Sequence, residues 1–183
     1  MKKILFAFMC VAALTATCVT VQAKKPVKPV VIELNFRNAD DTAMEWPFIE
    51  KKLSKKADAK DCTLTDQESG YAFRIVANNP IYLNSTNGLM CGGLAGDYIQ
   101  LPAVPRRSIT EIQIKYPRKG THGTLTITDE KGNKLEGGDG AKSKGDNYVH
   151  TWDIFGHKKG KAAKMMQTTD GSVMIKKLII RYE

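Results

Sequence analysis

The stretch Val30-Val31-Ile32-Glu33-Leu34-Asn35-Phe36 decides the fold. Val30, Ile32, Leu34 and Phe36 share one phase, while Glu33 and Asn35 take the other. A period of two places the apolar set on one face of a strand, so the segment reads as a half-buried β-strand. The same alternation returns at Tyr71, Phe73 and Ile75, at Ile112, Ile114 and Tyr116, at Leu125 and Ile127, and at Leu178, Ile180 and Tyr182. Turn-forming residues separate these runs, among them Asn78-Asn79-Pro80, Asn87-Gly88, Arg118-Lys119-Gly120 and Asp170-Gly171;. The clearest hairpin joins residues 124–129 (TLTITD) to 133–138 (NKLEGG), with Gly132 free to take a positive φ in the turn;. Only residues 47–57 invite a helix, with Pro47 at its start and Ile49, Leu53 and Ala57 at i, i+4 spacing;.

Many short strands and almost no helix predict an all-β chain: a two-sheet antiparallel β-sandwich of the jelly-roll kind. The first and last strands are expected to pair or neighbour one another and close the domain.

The working domain is shorter than the chain. Lys2 and Lys3, the apolar stretch Ile4 to Leu14 and the small-residue site Val21-Gln22-Ala23 predict a secretory signal peptide over residues 1–23;. Its apolar stretch is too short to span a bilayer, which needs roughly 20 residues. The expected location is therefore secreted or periplasmic. Cys18 offers a second processing route, as the lipidated first residue of an anchored lipoprotein, but Thr17 stands where such signals usually carry a smaller residue. Residues 24–29, KKPVKP, read as a tether, and 30–183 as one sandwich domain;.

Removing 23 of the 183 residues leaves 160. The loss of Lys2 and Lys3 takes the 28 Lys and Arg to 26 against 19 Asp and Glu, so the formal charge falls from +9 to +7. A chain of this size buries enough surface to fold without staples. An apolar fraction of 42% excludes a disordered chain, and aperiodic Gly and Pro exclude a fibrous one;. Two of the four cysteines leave with the signal. The remaining Cys62 and Cys91 would form either one disulfide in an oxidising compartment or two buried thiols;. No Cys-x-x-Cys or close Cys/His cluster suggests zinc.

Asp41, Glu45-Trp46-Pro47-Phe48, the run from Gly96 to Ala103 (GDYIQLPA), Ile109-Thr110-Glu111-Ile112, Thr151-Trp152-Asp153-Ile154 and the final KLIIRYE at 177–183 together resemble secreted jelly-roll domains of Bacteroidetes. Those are galactose-binding-like and similar to carbohydrate-binding modules. The resemblance spans most of residues 30 to 183 and implies a fold and a tendency to bind glycans, without transferring any binding residue.

Carbohydrate recognition needs an aromatic plate for a sugar's apolar face and polar groups for its hydroxyls. Trp46, Trp152, Tyr82, Tyr98 and Tyr148 are the candidate plates, with Asp139 and Asp146 as polar partners; Trp46, before Pro47 in an irregular acidic stretch, suits a loop plate but reads first as packing;. Trp152 reads instead as core, since it lies in the alternating run YVHTWDIF;. The polar insert from Gly137 to Asn147 reads as an exposed loop, where Asp139, Asp146 and Asn147 could join Asp129 around calcium;. Lys142 and Lys144 oppose that, and no metal site or other cofactor is assigned.

Lys158, Lys159, Lys161 and Lys164 form the basic patch least interrupted by acids. A solubilising surface explains such a patch; attraction to a sulfated or uronic polysaccharide is the functional alternative. Nucleic acid is not expected of an exported chain without a recognition motif. Nor is there a G-x-S-x-G nucleophile elbow, or a Cys/His pairing with His122, His150 or His157;. The function expected is an exported, non-catalytic glycan-binding or adhesion module. A glycoside hydrolase or other hydrolase on the same scaffold, and a structural protein-interaction domain, are the alternatives.

Overall fold

The structure is a computed structural model that describes residues 28–36, 44–45, 60–66, 68–79, 81–84, 88–117, 123–141 and 148–183. Residues 1–23, the helical expectation at 47–57, Trp46 and Asp146 lie outside them. The described residues form thirteen strands: β1 (Val30–Asn35), β2 (Met44–Glu45), β3 (Asp61–Asp66), β4 (Ala72–Val76), β5 (Tyr82–Asn84), β6 (Gly88–Cys91), β7 (Tyr98–Leu101), β8 (Ile109–Lys115), β9 (Leu125–Asp129), β10 (Val149–Asp153), β11 (Ala163–Gln167), β12 (Val173–Ile175) and β13 (Lys177–Tyr182). No helix occurs among them. All strand pairs are antiparallel.

The first and last strands pair as the pattern predicts. β1 runs antiparallel to β13, from Val30 opposite Tyr182 to Asn35 opposite Lys177, in a four-stranded sheet ordered β1-β13-β8-β10. A six-stranded sheet runs β2-β3-β4-β7-β11-β9. Ile32, Leu34, Ile112, Ile114, Trp152, Leu178 and Ile180 from the first sheet join Leu64, Phe73, Ile75, Ile99, Leu101, Ile127 and Met165 from the second in one buried cluster. Each such side chain contributes roughly 1.5–3 kcal/mol on burial, so this shared face holds the sheets together. The outer face of the four-stranded sheet is self-satisfied: Lys177 pairs with Glu33, Arg181 with Glu111 (2.8 Å), and Gln113 donates to Thr151 Oγ1 (3.2 Å).

A third sheet, β12-β6-β5, departs from the two-sheet expectation. Its strands are three or four residues long, too short to show a period, and Leu89, Cys91, Val173 and Ile175 add its inner side to the common core. Glycine is required where β6 begins: Gly88 has φ +77°, and a Cβ there would lie 2.3 Å from the Ile175 carbonyl oxygen;.

The hairpin after β9 forms as the turn residues imply. Asp129 N–H donates to the Asn133 carbonyl (2.8 Å), Gly132 takes φ +90°, and the Asp129 carboxylate accepts from the backbone of Lys131 and Asn133 (2.9 Å each). The chain then returns along β9. Leu135 donates to the Ile127 carbonyl, Ile127 to that of Gly138, and Leu125 and Ala141 exchange bonds. Residues 137–141 are therefore a paired edge, not the free loop expected from their composition. The Asp139 carbonyl accepts from Trp152 Nε1–H (2.7 Å), which satisfies the one polar group of that buried indole;.

Candidate functional site

Of the expected binding residues that are described, Tyr98 and Tyr148 belong to the sides of different sheets. Tyr98 faces outward from the six-stranded sheet, opposite Val76 and Met166, and Lys164 holds its ammonium 4.9 Å above the ring. That cation–π contact occupies a face on which a sugar would stack. Tyr148 belongs to the other sheet's side. It stacks on Tyr116 (6.0 Å, 9° between planes) and adjoins His150, which meets Trp152 edge-on at 4.4 Å. This row lines the core's margin and serves packing. The Asp139 carboxylate pairs with Lys134, and Asp129 accepts from Asn133 with both oxygens; Asp146 and Asn147, the other expected calcium ligands, lie outside the described residues. Among the described residues no group of three or more His, Cys, Asp or Glu is placed to hold a metal ion.

Cys62 and Cys91 are free, buried thiols. Burial, aided by the nearby Asp61 charge, pushes Cys62 up to about 11; burial, with Cys62 and Asp97 adding, pushes Cys91 up to about 12. Of the two readings the sequence left open, this structure holds the unbridged one.

The basic patch divides. Lys164 sits within β11, where strand alternation turns it onto the sheet's outer face. Lys158, Lys159 and Lys161 lie in the turn between β10 and β11, at the rim of the molecule. There, Lys158 and Lys161 line a cleft of about 350 Å³ with Asp129, Glu130, Lys131, Leu135, Gly156, His157 and Ala162. Such a volume suits a small ligand or one to two sugar rings.

Three backbone ties build the rim. Ile109 N–H donates to His157 Nδ1 (2.9 Å), Ala162 N–H to Glu130 Oε1 (3.1 Å), and Gly160 N–H to the Arg107 carbonyl (2.8 Å). His157 is 7% exposed and joins the lysine turn to the start of β8. Because its Nδ1 accepts, the neutral ring carries its hydrogen on Nε2. Among the described residues that atom is buried without a hydrogen-bond partner. Burial lowers the imidazole below its ordinary value, opposed by the Ala162 backbone and the Glu130 carboxylate. His157 thus acts as a neutral clamp.

The charges of the cleft are unequal in freedom. Asn133 chiefly, with backbone amides, holds Asp129 below the usual carboxylate range, and Glu130 is tied to Ala162. Lys131, Lys158, Lys159 and Lys161 make no ion pair among the described residues. A second basic hollow of about 290 Å³ is lined by Asn35, Lys115, Lys176 and Lys177, and its Lys177 is already paired with Glu33.

One residue beside the cleft escaped the sequence reading. Phe155 is 56% exposed, the most exposed large apolar side chain among those described. The signal was present: in YVHTWDIF, Tyr148, His150, Trp152 and Ile154 share the inward phase, leaving Phe155 in the outward one. No protein-family model, curated protein or solved structure matches this chain. No helix among the described residues is long and apolar enough to cross a membrane.

Proposed function

We propose that this protein is an exported, non-catalytic module that binds an acidic glycan in the rim cleft, on a jelly-roll, galactose-binding-like sandwich. The observation that carries the reading is the set of lysines without an ion pair among the described residues, Lys131, Lys158 and Lys161, around a cleft whose two carboxylates are held by neighbouring donors. Free cations beside restrained anions give a net attraction for carboxylate or sulfate groups. The antiparallel layers with a common core support the sandwich, and the signal-like residues 1–23 support export.

A glycan array with residues 24–183, run with and without calcium and followed by product analysis of every hit, tests this. Retention of uronic or sulfated glycans without cleavage or calcium dependence is expected. Turnover of a bound glycan would replace the module with a hydrolase.

A further inference from the structure

Charge alone leaves Phe155 unexplained. Its N–H donates to the Glu136 carbonyl (3.0 Å), so an isolated bridge fixes its backbone against the return strand of the β9 hairpin. A Cβ added to Gly137 would lie 3.4 Å from the ring's Cδ2, which places the ring against that glycine's bare backbone. Gly137 cannot be replaced without disturbance, since the same Cβ would fall 1.8 Å from the Asp153 carbonyl oxygen and the residue has φ +81°;. The ring is therefore backed on one side and open to solvent over much of its surface. The next two residues, Gly156 and His157, line the lysine cleft, as does Leu135 beside Glu136.

Among the described residues, the other large exposed apolar side chains lie elsewhere on the fold. Val31 and Val149 project from the outer face of the four-stranded sheet, and Leu94 lies in the β6–β7 connection, tied through Asp97 to Gln167 at the far end of β11. A protein interface needs a contiguous patch many times larger than one ring. An isolated aromatic beside a cationic cleft of small-ligand size matches instead a ligand with one flat apolar face and a nearby anion. Pyranose rings bearing a carboxylate or sulfate have that chemistry.

We infer that Phe155 is the stacking plate for one ring of the acidic glycan, so that the site reads a sugar ring and its acidic substituent together. This inference rests on the acidic-glycan reading above. The C–H face of the ring covers the phenyl, while Lys158 and Lys161 take the acidic group.

The test compares the exported protein with its Phe155→Ala, Phe155→Tyr and Lys158→Gln/Lys161→Gln variants by calorimetry. The probes are a sulfated, uronate-containing tetrasaccharide and inorganic polyphosphate. Phe155→Ala is expected to weaken the tetrasaccharide about tenfold, or about 1.4 kcal/mol. Its polyphosphate affinity and melting temperature should be unchanged, and Phe155→Tyr should restore binding. The lysine variant should lose both probes. If Phe155→Ala binds the tetrasaccharide like the wild type, or loses both probes equally, the plate is overturned while charge recognition stands. A Phe155→Ala variant that turns a sedimenting dimer into a monomer would overturn it in favour of self-association. If the wild type binds neither probe, the acidic-glycan reading falls and takes the plate with it.

Discussion

Gln167→Ala should be among the most damaging single substitutions away from the apolar core. The Gln167 side chain is 1% exposed, and it closes the end of the molecule opposite the rim. Its Nε2 donates to the carbonyls of Thr169 (2.7 Å) and Gly171 (2.6 Å), and its Oε1 accepts from Gly93 N–H (3.3 Å). Its backbone ties the same loops, accepting from Gly96 and donating to the Asp97 carbonyl. Asp97 in turn accepts from Asn78 and Leu94. Truncation removes two short bonds and one long one. A net hydrogen bond is worth about 1 kcal/mol, and an orphaned buried partner costs about 1–3 kcal/mol. Thr169 is exposed and its carbonyl can turn to water, which keeps the total near 2–3 kcal/mol;. For a domain of this size that lowers Tm by about 5–10 °C. Urea unfolding followed by Trp152 fluorescence should show a lower midpoint at constant slope. Gln167→Glu should be worse, because it sets an acceptor against two carbonyls. Glycan binding by the folded variant should be unchanged, since the cleft lies at the other end of β11. A Gln167→Ala loss below about 0.5 kcal/mol, or a Gln167→Glu protein as stable as the wild type, would refute the reasoning.

Other consequences are as direct. Burial favours neutral His157 in the folded protein, with the Ile109 amide, the Ala162 backbone, the Glu130 carboxylate and the cleft lysines around it. The unfolded chain titrates near 6.5 and takes up the extra proton, so stability should decline as pH falls below about 6.5 and level off once the folded ring protonates. His157→Gln should remove that component; an identical pH–stability curve in the variant would count against the clamp. At pH 8, with thiols at about 11 and 12, roughly one in a thousand or fewer is ionised, so iodoacetamide should label neither Cys62 nor Cys91 natively and both after unfolding;. Rapid native labelling, or no thiols after unfolding without reductant, would contradict two buried free cysteines.

Where a signal is local, the sequence carried it. The alternation in β1 and β13, the Gly132 turn and the inward phase of Trp152 all depend on neighbouring residues, and the structure follows them. Where a property depends on pairing across the fold, it was not legible. The three short strands β5, β6 and β12 gain their identity from one another, and Lys164 leaves its neighbours because strand phase overrides proximity in sequence. Residues 137–141 have the composition of a loop, yet β9 and the Trp152 indole capture their backbone. Tyr98 and Tyr148 were grouped by chemical type alone, and opposite sheets separate them. Phe155 stands in the outward phase of YVHTWDIF, but its fixed place depends on the bridge to Glu136 across the fold.

The central claim is that free lysines of the rim cleft hold an acidic glycan. Its most direct measurement is calorimetric affinity for a sulfated oligosaccharide across a sodium chloride series, for the wild type and for a Lys131→Gln/Lys158→Gln/Lys161→Gln variant. Screening at exposed charges shortens from about 10 Å at 0.1 M to about 3 Å at 1 M. Wild-type affinity should therefore fall steeply with salt, and the variant should bind weakly with a nearly flat dependence. A salt-independent wild type, or a variant that follows the same curve, would contradict the account.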